Sequence, residues 1–252
     1  MSIFETDGLT KSFSGLTAVD DVTVSVDRGE FVCIIGPNGA GKTTFVNLVT
    51  GLLTPTSGTV TFEEDDVTGK DPHEITQSGI SRSFQTASLF PGLTVEENIK
   101  VAAIATEHGS FQLNFLRRLD NYPAVDERTD TLLKQFELYE DRDAETSALS
   151  YGDKRRLEMA VGMTNDPSLI FMDEPTAGMS PDETKMTTDL IKSIQEERNM
   201  SVVMIEHDMD LVFELADRII VLNRGSVIAD GPPETIQEHP EVQKAYLGGV
   251  EQ

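Results

Sequence analysis

The sequence predicts an α/β fold: a mixed-sheet core with an antiparallel β-rich N-terminal part and a helical subdomain inserted into it. Three observations predict it. The first third carries short β-rich runs broken by turns, the middle carries apolar residues at helical spacing, and the last third alternates strand-sized apolar runs with helical stretches. With no internal repeat or low-complexity linker, the chain is read as one domain, 1–252. Its core is formed by 1–85 and 166–252, and its helical subdomain by 86–165.

In chain order, Ile3–Asp7, Val22–Val26, Phe31–Ile35 and Thr59–Phe62 read as strands, with DRGE and TSGT as turns. A helix is expected from Gly41–Lys42 to about Leu52, ending near Gly51 and Pro55. Residues 93–106 have helical spacing and a capping-box start at Thr94 and Glu97; 124–139 and Ser150–Asn165 are further helical stretches. LIFMD, a helix from Pro181, SVVMIEH, a helix through Leu215 and DRIIVLN then alternate, as in a parallel sheet covered on both faces.

Composition narrows the function classes. Of 252 residues, 38% are hydrophobic, enough for a sizeable core. The opening MSIFETDGLTKSF lacks the pattern of a signal peptide, and runs such as FVCII are far short of a membrane span, so any work at a membrane is expected to go through partners. The lone Cys33 lies in an apolar run and reads as a core residue, in keeping with a reducing cytoplasm. Acidic residues number 44 against 20 basic, a net charge of −24 spread along the chain. Such a surface repels nucleic acid and anionic lipid, and it reads as solvated and salt-adapted, as in proteins of high-salt, halophilic cytoplasms.

Gly36-Pro-Asn-Gly-Ala-Gly41-Lys42-Thr43 fits G-x-x-x-x-G-K-[ST], directly after an apolar strand and opening a helix. Gly36, Gly39 and Gly41 are expected to let backbone N–H groups approach phosphate oxygens without Cβ clashes, and the helix N-terminus adds partial positive charge. Lys42 is expected at the β- and γ-phosphates and the Thr43 hydroxyl at Mg²⁺; Asn38, Ala40 and Thr44 belong to the same binding stretch. Further on, LIFM delivers Asp173 and Glu174 at a strand end. Beside a phosphate loop, Asp173 suits the metal and Glu174 suits a general base for the attacking water.

With these motifs the chain resembles the nucleotide-binding subunits of ATP-binding-cassette transporters over nearly its whole length. Leu149-Ser150-Tyr151-Gly152-Asp153 is similar to the family's Leu-Ser-Gly-Gly-Gln signature loop. The resemblance implies that Ser150 and Gly152 bind the γ-phosphate held by a second subunit, identical or paralogous, in a head-to-tail dimer. It also implies that Gln85 is the glutamine of a catalytic, metal-sensing loop, His207 the switch histidine and Phe13 the aromatic that stacks on adenine. The chain departs from the family pattern at Tyr151, at Asp153 and in the loop PTAGMSPDET, where Met179-Ser180-Pro181-Asp182 stands in place of the more usual Leu-Asp.

The segment 107–127, the run KRRLEMA after the signature and the ending ADGPPETIQEHPEVQKAYLG resemble importers of branched-chain and related amino acids. Urea, amide and carboxylate importers and lipid exporters use similar subunits, so the cargo stays open. The implied partners are transmembrane permease subunits, which place the chain on the cytoplasmic face of the membrane. A DNA-repair ATPase would carry a long coiled coil or zinc module, and a GTPase an Asn-Lys-x-Asp motif; neither pattern occurs.

Overall fold

The computed structural model describes residues 1–83, 89–108 and 123–247; Gln85 and most of the 107–127 segment lie outside the described residues. Strands β1 (Ser2–Phe13), β2 (Leu16–Asp27), β4 (Ser57–Phe62) and β5 (Asp65–Asp66) form an antiparallel sheet in the order β2-β1-β4-β5. A second sheet runs β10-β9-β3-β8-β7-β6, built from β3 (Phe31–Ile35), β6 (Ile80–Ser83), β7 (Leu169–Asp173), β8 (Ser201–Ile205), β9 (Arg218–Asn223) and β10 (Ser226–Gly231). It is parallel except for the β9–β10 hairpin.

The central strands are buried from end to end, which is why their sequences are continuous apolar runs instead of alternating ones. Their side chains divide by the strand period of two. Phe31, Cys33, Ile35, Ile170, Met172, Val202 and Met204 enter one core, shared with the helices. Val32, Ile34, Leu169, Phe171, Val203 and Ile205 enter a second core, shared with the antiparallel sheet. The helices are α1 (Lys42–Val49), α2 (Pro72–Ser78), α3 (Val95–His108), α4 (Pro123–Gln135), α5 (Tyr151–Gly162), α6 (Pro181–Arg198), α7 (Met209–Leu215), α8 (Pro233–Gln237) and α9 (Pro240–Leu247).

Local signals set most boundaries. Thr94 and Glu97 form the expected capping box at α3, with Thr94 N donating to Glu97 at 2.8 Å and Glu97 N to Thr94 at 3.2 Å. Ser180 and Glu183 do the same at α6, so the Ser180 hydroxyl is engaged as a helix cap. Other boundaries move. β1 and β2 run well past the expected segments, because the polar GLTKSF and LTAVDD stretches still pair across a two-residue turn at Ser14 and Gly15. Helix α4 stops at Gln135, short of Tyr139, where Glu137 adopts a left-handed φ of 57°.

Candidate functional site

The parallel order β3-β8-β7-β6 brings the carboxyl ends of four strands to one edge. Ile34 pairs with Ile205, Asp173 with Ile205, and Ser83 with Met172. The residues following three of these strands therefore gather there: Gly36–Thr43 after β3, His207 after β8 and Glu174 after β7. An edge of this kind is where open α/β sheets bind ligands.

The phosphate loop is built by close backbone approach at two of its three glycines. A Cβ on Gly36 would fall 2.1 Å from the Leu222 carbonyl oxygen. Gly41, at φ 104°, would put one 2.4 Å from the Ala18 carbonyl oxygen. At Gly39 a Cβ would meet no protein atom within 4 Å. That position is open, and its φ of 80° is what calls for glycine. Gly41 is the N-cap of α1 and supplies no side-chain cap, which leaves the first-turn N–H groups for an anion. The ammonium of Lys42 turns back over the loop, donating to the Gly36 carbonyl at 2.7 Å and the Pro37 carbonyl at 3.3 Å. Burial pushes its pKa down, against the pull of Glu174 and Asp173 in the opposite direction. Thr43 and Asn38 are exposed. Gly225, in the β9–β10 turn, clasps the loop: its N–H donates to the Ala40 carbonyl and its carbonyl accepts from Asp20, each at 2.9 Å.

Asp173 is 5% exposed, and burial raises its pKa although Arg82 works to lower it. Arg82 lies 3.5 Å from Asp173 Oδ2, and that oxygen accepts no hydrogen bond among the described residues. Arg82 also donates to Asn47. Glu174 sits at φ 50°, a left-handed backbone for a residue with a side chain. Its N–H donates to Ile205 O at 2.9 Å, and its Oε1 lies 2.9 Å from His207 Nε2. No group of three or more His, Cys, Asp or Glu side chains that could hold a metal occurs among the described residues.

Phe13 stands half-exposed at the tip of the β1–β2 hairpin, with Lys11 Nζ 5.1 Å from its ring centroid. The same hairpin meets the phosphate loop at Ala18, beside Gly41, and meets the β9–β10 turn at Asp20. Ser150 is the N-cap of α5; its hydroxyl accepts from Asp153 N at 3.1 Å and donates to Asp153 Oδ2 at 2.6 Å. A Cβ on Gly152 would lie 3.4 Å from Glu183. Tyr151 donates to the Ala177 carbonyl at 3.0 Å, joining the helical part to the loop after Glu174. Sequence reasoning passed over two site residues. Arg82 carried a signal, a lone cation in the strand-like SRSFQ, and Glu206 carried one too, a carboxylate closing an apolar strand.

Compared with known proteins, residues 19–177 match the ABC transporter family, and residues 226–252 match the branched-chain amino acid ATP-binding cassette transporter family. The chain is 40% identical over 253 residues to the high-affinity branched-chain amino acid transport ATP-binding protein BraF of Pseudomonas aeruginosa, covering 98% of each. It is 40% identical to LivG of Salmonella typhimurium, covering 96% of each, and 37% identical to a probable LivG of Archaeoglobus fulgidus, covering 98% of this chain and 96% of that one. Among solved structures, the ADP conformation of MJ1267, an ATP-binding cassette of an ABC transporter, superposes with a TM-score of 0.88 at 31% identity, covering 98% of this chain and 99% of that one. A phosphate loop and a carboxylate strand at one sheet edge, in a fold shared with that cassette, agree with the sequence matches: the chain belongs to the ABC transporter family, as one of its ATP-binding, ATP-hydrolysing proteins.

Proposed function

We propose that the chain is the ATPase subunit of a membrane importer for branched-chain or related amino acids. The observation that carries the hydrolytic half is the Glu174–His207 contact beside the phosphate loop. The cargo rests on the match of residues 226–252 and on the names of the relatives.

In this reading ATP lies along Gly36–Thr44, with Phe13 against adenine. Lys42 exchanges the carbonyls of Gly36 and Pro37 for phosphate oxygens, and the open space beside Gly39 leaves its backbone free to face them. Glu174 takes the proton of the attacking water, and His207 holds that carboxylate in place. The buried, unbonded Asp173 oxygen and the exposed Thr43 fit Mg²⁺, with Gln85 as the third expected ligand. Bound there, Mg²⁺ would neutralise phosphate charge. Ser150 and Gly152 close over the nucleotide of a second subunit, identical or paralogous. Among the described residues no helix is long and apolar enough to cross a membrane. Transmembrane permease subunits would hold the chain at the inner face of the cell membrane.

Glu174→Gln tests the reading. Its ATP hydrolysis should fall about 100- to 10,000-fold while ATP still binds. The tagged variant, purified with ATP from gently solubilised membranes, should bring two multi-span proteins and a second ATPase. Hydrolysis at the unaltered rate would remove Glu174 as the base. Recovery of soluble partners alone would sink the transport role and leave the ATPase standing.

A further inference from the structure

β7 and β8 run side by side until Asp173 meets Ile205, and there the regular ladder ends. The two chains nonetheless stay fastened beyond that point. Glu174 N–H reaches Ile205 O, and two residues later Thr176 folds onto Glu206. Glu206 is 5% exposed, and both its oxygens are used. Oε1 accepts from the Thr176 hydroxyl at 2.6 Å and the Thr176 N–H at 3.3 Å. Oε2 accepts from the N–H of His207 at 3.2 Å.

A carboxylate is a costly group to bury, and an apolar side chain would pack there more cheaply. What only a carboxylate supplies is acceptor capacity on two oxygens with no donor of its own. Here three donors converge on it, two from the loop that follows Glu174 and one from the residue that faces Glu174. Glu174 also needs outside support, because its left-handed backbone is not self-maintaining.

We propose that Glu206 is a positioning residue for hydrolysis: it fixes the loop after Glu174 to the backbone of His207 and so sets the Glu174–His207 geometry. It acts through those two side chains and touches no reacting atom. This assignment rests on the reading of Glu174 and His207 as the hydrolytic pair.

Glu206→Gln keeps the shape but places an NH₂ against one of the donors. In the full-length chain its kcat should fall about 10- to 100-fold, with KM and the directly measured ATP affinity within about two-fold. On a Glu174→Gln background the same change should add little, because the two act on one step. Thr176→Val, which deletes the 2.6 Å bond, should lower kcat in the same manner, and Thr176→Ser, which keeps it, should lower kcat less. This pair decides the matter if Glu206→Gln does not fold. An unchanged kcat in Glu206→Gln overturns the proposal, as does a joint loss of kcat, ATP affinity and thermal stability. A Glu174→Gln chain that hydrolyses normally removes the underlying reading instead, so the two failures are distinguishable.

Discussion

The sheet edge and the helical part of this molecule are held together by different means. At the edge, every residue of β3, β7 and β8 is buried, and the loops beyond are fixed by main-chain bonds such as Gly225 to Ala40 and Glu174 to Ile205. In the helical part, long charged side chains do much of the fastening. Glu96 on α3 takes Arg142 and Lys100, each at 2.8 Å, while Lys100 reaches Asp126 on α4 and Arg142 reaches Asp130. The signature end adds Arg156 with Glu137 and Asp153, and Arg155 with Glu158. A main-chain clasp has one geometry, whereas ion pairs between flexible side chains re-form after small movements and respond to salt. Under the proposed function, the contrast suits a site whose chemistry stays still beside a part that would shift as a second subunit closes.

Changes at the edge should therefore cost more than changes in the helical part. Gly41→Ala forces a Cβ onto the Ala18 carbonyl at a left-handed φ, and should lower stability in urea by about 3 kcal/mol. A near-neutral result would mean the edge has slack and the contrast fails. Next comes Glu96→Gln. Burial opposes the charge on Glu96, but hydrogen bonds from Arg142 and Lys100 hold its carboxyl below the usual range. Its folded pKa is depressed, so its contribution is full above the unfolded value and is lost as pH falls through the folded one. The variant should be weaker by about 1–2 kcal/mol at pH 7. That gap should narrow below about pH 4 and shrink in molar salt; a salt-independent gap would argue for packing instead of charge. Smallest is Tyr151→Phe, which deletes the exposed bond to the Ala177 carbonyl and the one accepted from Arg155, and should cost about 0.5–1 kcal/mol. Amide exchange should quicken at residues 177–180, and an unchanged pattern would mean that Tyr151 does not tie the two parts together.

The same contrast explains what the sequence could show. Buried strands, the glycine loop and the Thr94–Glu97 cap are local signals, and each stands where spacing placed it, whereas the Ser180–Glu183 cap, an equally local signal, was passed over. Lys42, Asp173 and Glu174 were legible from their motifs and His207 from the family resemblance; the strand order puts all four on one edge. The partners of those residues were not. That Arg82 lies against Asp173, that Gly225 clasps Ala40 and that Glu206 receives Thr176 are facts of tertiary contact between distant segments, which no local pattern encodes. For the same reason the motif could not separate Gly36 and Gly41, crowded by distant carbonyls, from Gly39, which stands in the open. β10, α2, α8 and α9 were also missed, being short and polar, with weak periodicity.

The Gly225 clasp has a consequence for how the protein comes into being. The neighbours of β3 in the sheet are β8 and β9, and the turn that grips the phosphate loop follows β9. The loop's own residues leave the ribosome early, yet the strands and clasp that shape it are among the last to emerge. A nascent chain that ends before residue 225 carries the complete glycine motif without its clasp. Nucleotide affinity should therefore appear late in synthesis and abruptly, as the closing step of a high-contact-order assembly, and a ribosome stalled short of that hairpin would display the motif without the binding.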